Sequence, residues 1–327
     1  MGLGHITRCI SLYEAFEERG ASPVLIVSGN NEDESILHGK NYEILEWLER
    51  RDEIVNLIDG ADVVVVDSYR APFEFYDVLS RIVRVPVYLD DYRRLDYPRG
   101  VVVNGAINAE GIEYPRKEGL LYLLGTAYTP LRKAFWGVPG IRIRNNLETI
   151  MVTFGGSDTR NMTPRILKLL TEEYPSLVKK VVIGKGFMHS DEIDRICDER
   201  TELIYGPDDA MIIKTMQESD IALSAAGQSL YELARIGTPT IAVGIADNQS
   251  HNIAGWIKEG FIYFAGWWDD KDTMSNLKTG VVMLKDQDAR RRMSKTGRAC
   301  IDGGGSMRLA AALGVLSEDE TYKESNN

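Results

Sequence analysis

From residue 5 onward, apolar positions switch between a helical and a strand-like pattern. Ile6, Cys9, Ile10, Tyr13 and Phe16 share one face of a helix over "HITRCISLYEAFEERG", which Gly20 ends. "SPVLIVS" has the continuous apolar character of a buried strand. "ADVVVVDSY" shows it more strongly, with four valines followed by polar residues, as in a parallel strand covered on both faces. "FEFYDVLSRIV" reads as helix, "VPVYLDDY" as a strand with acids at its C-terminal end, and "GVVVNGAIN" as another strand. This alternation predicts a doubly wound parallel sheet for the first half of the chain.

Between Tyr128 and Leu147 the pattern lapses. "TPLRKAFWGVPGIRIRNN" carries two prolines, two glycines and several basic residues, and reads as an interdomain connection. The alternation then restarts with "ETIMVTFGGSD", "MTPRILKLLTEEY" and "VKKVVIG", and continues through "SDIALSAAGQSLYELARIG", "TPTIAVGI" and "QSHNIAGWIKEG". The expected organisation is an N-terminal Rossmann-like domain over 1–130, a connection over 131–147, and a second Rossmann-like domain over 148–316. Its last part, from Asp269 to Leu316, reads as helical throughout, and 317–327 reads as a disordered polar tail. The fold class is therefore α/β: two Rossmann-like, doubly wound parallel-sheet domains expected to face a cleft, with a ligand at the strand C-termini. The opening "MGLGH" reads as a Gly-x-Gly turn entering a helix. In a doubly wound sheet such a turn leaves the first, central strand, so a short apolar strand is expected upstream of Met1.

Composition narrows the function. The 327 residues are 44% hydrophobic and 27% charged, ordinary for a soluble globular protein. With 38 Lys and Arg against 49 Asp and Glu, the net charge of -11 disfavours a nucleic-acid surface. An anionic small molecule is still admissible, because helix N-termini and backbone N–H groups do not enter that sum. Cys9, Cys197 and Cys300 are few, odd in number and far apart, which suits a reducing cytoplasm and no metal cluster or disulfide framework. No long uncharged apolar run suggests membrane insertion.

Several loops carry candidate chemistry. In "FGGSD", Gly155, Gly156 and Ser157 follow a strand and let backbone approach a ligand. In "SAAGQSLYE", Gly227 turns the chain while Gln228 and Ser229 open a helix, whose N–H groups and dipole suit a diphosphate. Glu232, one turn further, suits a ribose diol. Equally, Ser229 could simply cap that helix and Glu232 be a first-turn acid. "ADNQSHN" places the amides of Asn248, Gln249 and Asn252 at another helix start, fit for sugar hydroxyls, phosphate oxygens or capping. His5 stands at the start of the first helix. Asp67, Asp90 and Asp91 could be paired carboxylates, metal ligands, or acids that accept loop N–H bonds and orient His5. Of the other histidines, His38 and His189 read as surface residues; His251, bordering the Asn248 loop, is left open.

Together these signals resemble the donor half of GT-B nucleotide-sugar enzymes. "GLGHITR", Asp67 with Tyr69, the pair Asp90 and Asp91, Asn104, Asn108, "GTAYTPLRKAF", "FGGSD" and "NQSHN" sharpen the match. In that order they resemble the UDP-sugar hydrolases of the pseudaminic acid pathway and their spore-coat polysaccharide relatives, from Met1 to about Phe264. The resemblance implies release of 2,4-diacetamido-2,4,6-trideoxy-altropyranose from UDP. It implies His5 as the residue that activates water, with Gly4, Asp67, Tyr69, Asp91, Asn248 and Gln249 near the sugar. Gly155, Gly156, Ser157, Gly227, Gln228, Ser229 and Glu232 would hold UDP, and backbone groups of "YGPDDAM" would read the uracil. The "AAGQS" run departs from the more usual glycine- and serine-rich form.

The chemistry suits that set. UDP is a good leaving group, so the reaction needs a base for water more than an acid. An imidazole at a helix start is expected to be neutral and available as that base. No metal, no other cofactor, no nucleic acid and no membrane are expected; the partner is a UDP-sugar. A GT-B glycosyltransferase with the same donor site, and a nucleotide-sugar-binding protein without turnover, are the alternatives.

Overall fold

In the computed structural model, which describes residues 3–28, 37–188 and 190–319, the valine-rich segments become strands of a parallel sheet, with "VVVV" at its edge among the described residues and half-buried over Val63–Val65 rather than covered on both faces. Strands β3 (Val63–Asp67), β4 (Val85–Leu89), β5 (Gly100–Asn104) and β6 (Leu120–Leu124) pair in that order. All five residues of β4 and of β5 are buried, because both faces of the sheet are covered. Val66, Tyr88 and Val102 pack with Phe75, Tyr76 and Leu79 of helix Phe73–Ile82. Alternate residues Val85, Val87, Leu89, Val101 and Val103 meet Leu12 of helix Leu3–Glu18, with Leu309 and Leu313 of helix Gly305–Glu318.

Two expectations for this half are corrected. Among the described residues it holds two parallel sheets rather than one, because β1 (Leu25–Val27) pairs only with β2 (Tyr42–Ile44). Gly4 is helical rather than part of a turn. It lies in the first turn of Leu3–Glu18 with open space where a Cβ would point, so no backbone constraint demands a bend there. Gly2 lies outside the described residues.

The chain divides into two compact units, Met1–Trp136 with Gly303–Asn327, and Gly137–Asp302. Helix Gly305–Glu318 thus joins the first unit, where the sequence reading assigned residues up to 316 to the second. Its burial of Leu309 and Leu313 on the β4–β5 face is the physical reason. The tail expected over 317–327 begins inside that helix, and 320–327 lie outside the described residues.

The second unit is a six-stranded parallel sheet in the order β12-β11-β10-β7-β8-β9. Here β7 is Thr149–Thr153, β8 Val178–Ile183, β9 Thr201–Tyr205, β10 Ile221–Ala225, β11 Thr240–Gly244 and β12 Ile262–Trp267. The chain winds outward one way from β7 and the other way from β10, so the switch point lies between those strands. Ile150, Val152, Leu223, Ile241 and Val243 bury on helices that include Met162–Glu173. The stretch read as continuous helix is interrupted, giving Thr273–Met283, Gln287–Cys300 and Gly305–Glu318. Asp286 starts the second of these by accepting bonds from the N–H groups of Asp288 and Ala289. Among the described residues, no helix is long and apolar enough to cross a membrane.

Candidate active site

Asp67 ends β3 and Asp91 follows β4, so paired strands deliver two carboxylates to the same end of the first sheet. Helix Leu3–Glu18 brings His5 and Arg8, one turn apart, against them. His5 Nδ1 is 2.6 Å from Asp67 Oδ1. Arg8 grips the same carboxylate with two donors, Nη2 to Oδ1 at 2.6 Å and Nε to Oδ2, and reaches Asp91 Oδ1 with Nη1 at 2.7 Å. Tyr69 donates its hydroxyl to Asp91 Oδ2, and its ring meets the imidazole edge-on with centroids 4.5 Å apart.

The charges fix one another. Burial pushes the Asp67 carboxyl up, but the Arg8 guanidinium and then His5 outweigh it and hold it below its ordinary value. Asp91 is likewise lowered, burial being overcome by Arg8 and the Tyr69 hydroxyl. Arg8 is raised: burial works against its charge, and Asp91 and Asp67 prevail. Burial, and then Asp91, raise the Tyr69 phenol, which stays protonated and donating. Burial and Asp67 do the same to the Cys9 thiol, 3.9 Å from that carboxylate.

An ionised carboxylate only accepts hydrogen bonds, so the His5 contact makes Nδ1 the donor. The neutral ring then carries its lone pair on Nε2, which makes no hydrogen bond among the described residues. The His5 side chain is 16% exposed and that of Asp67 only 2%. A solvent-reachable imidazole is thus backed by a buried, clamped carboxylate.

Asp90 and Asn104 do other work. Asp90 accepts the N–H groups of Arg93 and Arg94 at 2.7 and 3.0 Å and the Tyr114 hydroxyl at 2.6 Å. Asn104, fully buried, accepts the Ala106 N–H and donates to Tyr114. Both pin loops at the strand ends. Asn108 precedes the short turn Ala109–Gly111. Gly4 is exposed, and His38 and His251 are exposed elsewhere; His189 lies outside the described residues.

In the second unit the loops after β7, β10 and β11 gather the remaining candidates at the C-terminal edge, around the switch point. Gly155 has a left-handed φ of 75°. Gly156 accepts the Gly186 N–H through its carbonyl, while Gly155 and Ser157 are exposed. Asp158 is buried and accepts the N–H groups of Met162 and Thr163, capping the helix after it. Gly227, Gln228 and Ser229 open helix Ser229–Ile236, but Gly227 does not need a left-handed backbone. Its α-carbon faces Gln249, whose Nε2 would lie 3.5 Å from a Cβ there, while Gln249 Oε1 takes the Ile245 N–H. Glu232 is on the first turn and buried. Asn248 is exposed. Asn252 is committed internally, donating to the Ala226 carbonyl and accepting from the Tyr231 hydroxyl, so it ties the β10 loop to helix Ser250–Glu259. In "YGPDDAM", Asp208 caps helix Asp209–Glu218.

Sequence reading placed Arg8 in the "GLGHITR" motif without giving it a role, and missed Arg160. Arg8 was visible as the i+3 partner of His5, a spacing that places both on one helix face. Arg160 lies between the "FGGSD" and "ADNQS" loops, with its guanidinium 4.3 Å from the Trp268 ring and bonded to the Ile245 carbonyl. No sequence spacing links Arg160 to Trp268. Among the described residues, no group of three or more His, Cys, Asp or Glu is placed to hold a metal ion.

Solved structures share this architecture. MurG of Acinetobacter baumannii superposes with a TM-score of 0.68 over 95% of this chain and 96% of its own, at 11% identity. Arabidopsis thaliana UGT89C1 complexed with UDP gives 0.66 over 98% and 97%, at 13% identity. The fold is GT-B.

No family model matches this GT-B chain. Among curated relatives, the spore coat polysaccharide biosynthesis protein SpsG of Bacillus subtilis is 22% identical over 98% of the chain and 96% of its own length. The Helicobacter pylori pseudaminic acid cytidylyltransferase and UDP-2,4-diacetamido-2,4,6-trideoxy-beta-L-altropyranose hydrolase is 24% identical over 76% of the chain and 43% of its own. An uncharacterised protein of Methanocaldococcus jannaschii is 23% identical over 74% and 53%. The match thus spans about half the length of the last two. These likenesses fit the family that the sequence resembles.

Proposed function

We propose that the chain hydrolyses a UDP-linked sugar at its anomeric carbon, releasing UDP and the free sugar for surface-polysaccharide or nonulosonic (pseudaminic) acid synthesis in the cytoplasm. The observation that carries this reading is the His5–Asp67 pair, with Asp67 clamped by Arg8. Water attacks the anomeric carbon and passes its proton to His5 Nε2. The bond from that carbon to the phosphate oxygen breaks with inversion, and UDP leaves with the electron pair. Asp67 stabilises the imidazolium that forms. Tyr69 and Asp91 would border the sugar, with Asn248 and Gln249 contributing amides. Gly155, Gly156, Ser157, Gly227, Gln228, Ser229 and Glu232 would hold the nucleotide. Support for the substrate, a UDP-linked diacetamido-trideoxyhexose, comes from the ordered motifs and the Helicobacter relative.

The test is UDP release from a panel of UDP-sugars with no acceptor present. With ¹⁸O-labelled water, the label is expected in the free sugar and not in UDP. His5→Asn should lower kcat by about 10²–10⁴-fold while UDP still binds. A chelator should leave turnover unchanged. The same pair would serve a glycosyltransferase by deprotonating an acceptor hydroxyl, and solved glycosyltransferases share the fold. UDP release only on adding an acceptor would establish that reading instead. Label in the UDP phosphate would mean attack at phosphorus and would refute both.

A further inference from the structure

We propose that the second unit carries an anion site for a small ligand with two linked phosphates, in a cavity lined by Arg235, Arg291, Lys295 and Arg298. The cavity has a volume of about 620 Å³. Its lining holds these four cations and one carboxylate, Asp302, with Arg291 also paired to Asp288 at 3.1 Å, in a chain whose net charge is -11. Three of the cations recur at i, i+4 and i+7 along helix Gln287–Cys300 and so share one face. The fourth, Arg235, stands on the last turn of helix Ser229–Ile236 and is only 8% exposed.

The cavity is built around these side chains. A Cβ on Gly140 would lie 2.1 Å from Arg298 Nη1, and one on Gly237 would lie 2.6 Å from Ser294 Oγ and 2.9 Å from Arg298 Cδ. Two glycines therefore make the room in which Arg298 lies. The Ile141 N–H donates to the Ile236 carbonyl, tying the segment that carries Ile143 to the end of the same helix. Burial, and then the neighbouring Arg298, lower the Arg235 guanidinium, with Asp302 acting the other way. Guanidinium forks match phosphate oxygens in pairs, and several together select a ligand with more than one phosphate.

Position separates this site from the candidate nucleotide loops. Those loops leave the C-terminal ends of β7, β10 and β11. Arg235 and Gly237 lie where the chain is about to enter β11 at Thr240, the opposite end of the same sheet. The proposal does not depend on the proposed hydrolysis.

The probe is inorganic pyrophosphate, titrated calorimetrically at low and at physiological salt. The proteins are the full chain, the double variant Lys295→Gln with Arg298→Gln, and a control of equal charge change, Lys168→Gln with Lys214→Gln. Both control lysines are about two-thirds exposed and lie on other helices of the unit. Each lost charged contact should weaken binding about ten-fold, so the first double variant should lose affinity and the control keep it. Equal loss in both variants would reduce the effect to overall charge, and loss in neither would place pyrophosphate elsewhere; either overturns the site. Should the double variant unfold, Lys295→Gln alone carries the same comparison.

Discussion

Replacing Asp67 by Asn keeps the shape of the side chain and removes its charge, and the hydrogen-bond geometry dictates the consequence. Oδ1 receives both His5 Nδ1 and Arg8 Nη2 at 2.6 Å, and Oδ2 receives Arg8 Nε. An amide offers one oxygen and one NH₂ group. With the NH₂ toward Arg8 Nε, two donors oppose each other. With the NH₂ toward His5, it opposes Arg8 Nη2 and drives the ring proton to Nε2, which abolishes the base. Either way a side chain only 2% exposed acquires an unmet donor, costing about 1–3 kcal/mol of stability. Turnover should fall about 10²–10⁴-fold, equivalent to about 3–5 kcal/mol of barrier, with UDP affinity unchanged. Acceptor-free UDP release measures the rate, urea unfolding the stability, and ¹⁵N spectra of the imidazole the tautomer. Turnover within about three-fold of the parent, with the Nδ1–H tautomer intact in the variant, would refute the claim that Asp67 sets the base.

Glu232→Ala should raise KM for the UDP-sugar more than it lowers kcat, because a ribose contact serves ground and transition states alike; unchanged UDP affinity by calorimetry would remove Glu232 from the nucleotide site. The Arg8 clamp should also show in acid. Asp67 and Asp91 are held below their ordinary values, so their stabilisation is complete above the unfolded carboxylate range near ~3.9 and is lost as pH falls through the lower folded values. The gap in urea midpoint between the parent and Arg8→Met should therefore be wide at pH 7 and narrow toward pH 2; a gap independent of pH would contradict the pairing. Leu309→Ala, at a fully buried position, should cost about 2–5 kcal/mol, read as lost protection of β4 and β5 amides in hydrogen exchange.

Much of the architecture was legible because its strands are extreme. "TPTIAVG" admits little besides a strand covered on both faces, "VVVV" is a strand whose edge position leaves Val63–Val65 half-buried, and Gly20 and Gly237 end helices with left-handed backbones, φ 81° and 86°. Weakly patterned elements were missed. In β9, "TELIY" buries only Ile204 because it is an edge strand, and in β12 three aromatic residues blur the period. At the site, His5 and the strand-end acids stood out by residue type. Their division of labour did not, since Asp90 and Asp91 are adjacent in sequence yet one holds a loop and the other Arg8. Only distances decide that, and they are set by strands and helices far apart in the chain.

The return of helix Gly305–Glu318 to the first unit bears on the order in which the chain matures during synthesis. The face made by Val85, Val87 and Val101 is completed by Leu309 and Leu313, so these strands must wait for residues made after the whole of the second unit. Residues 137–302, made later, contain their own unit without interruption and can close around their core as soon as they emerge. Until helix Gly305–Glu318 emerges, a valine-rich surface of the first unit stands open. In that interval the nascent chain is most exposed to aggregation, and shielding by a chaperone would matter most.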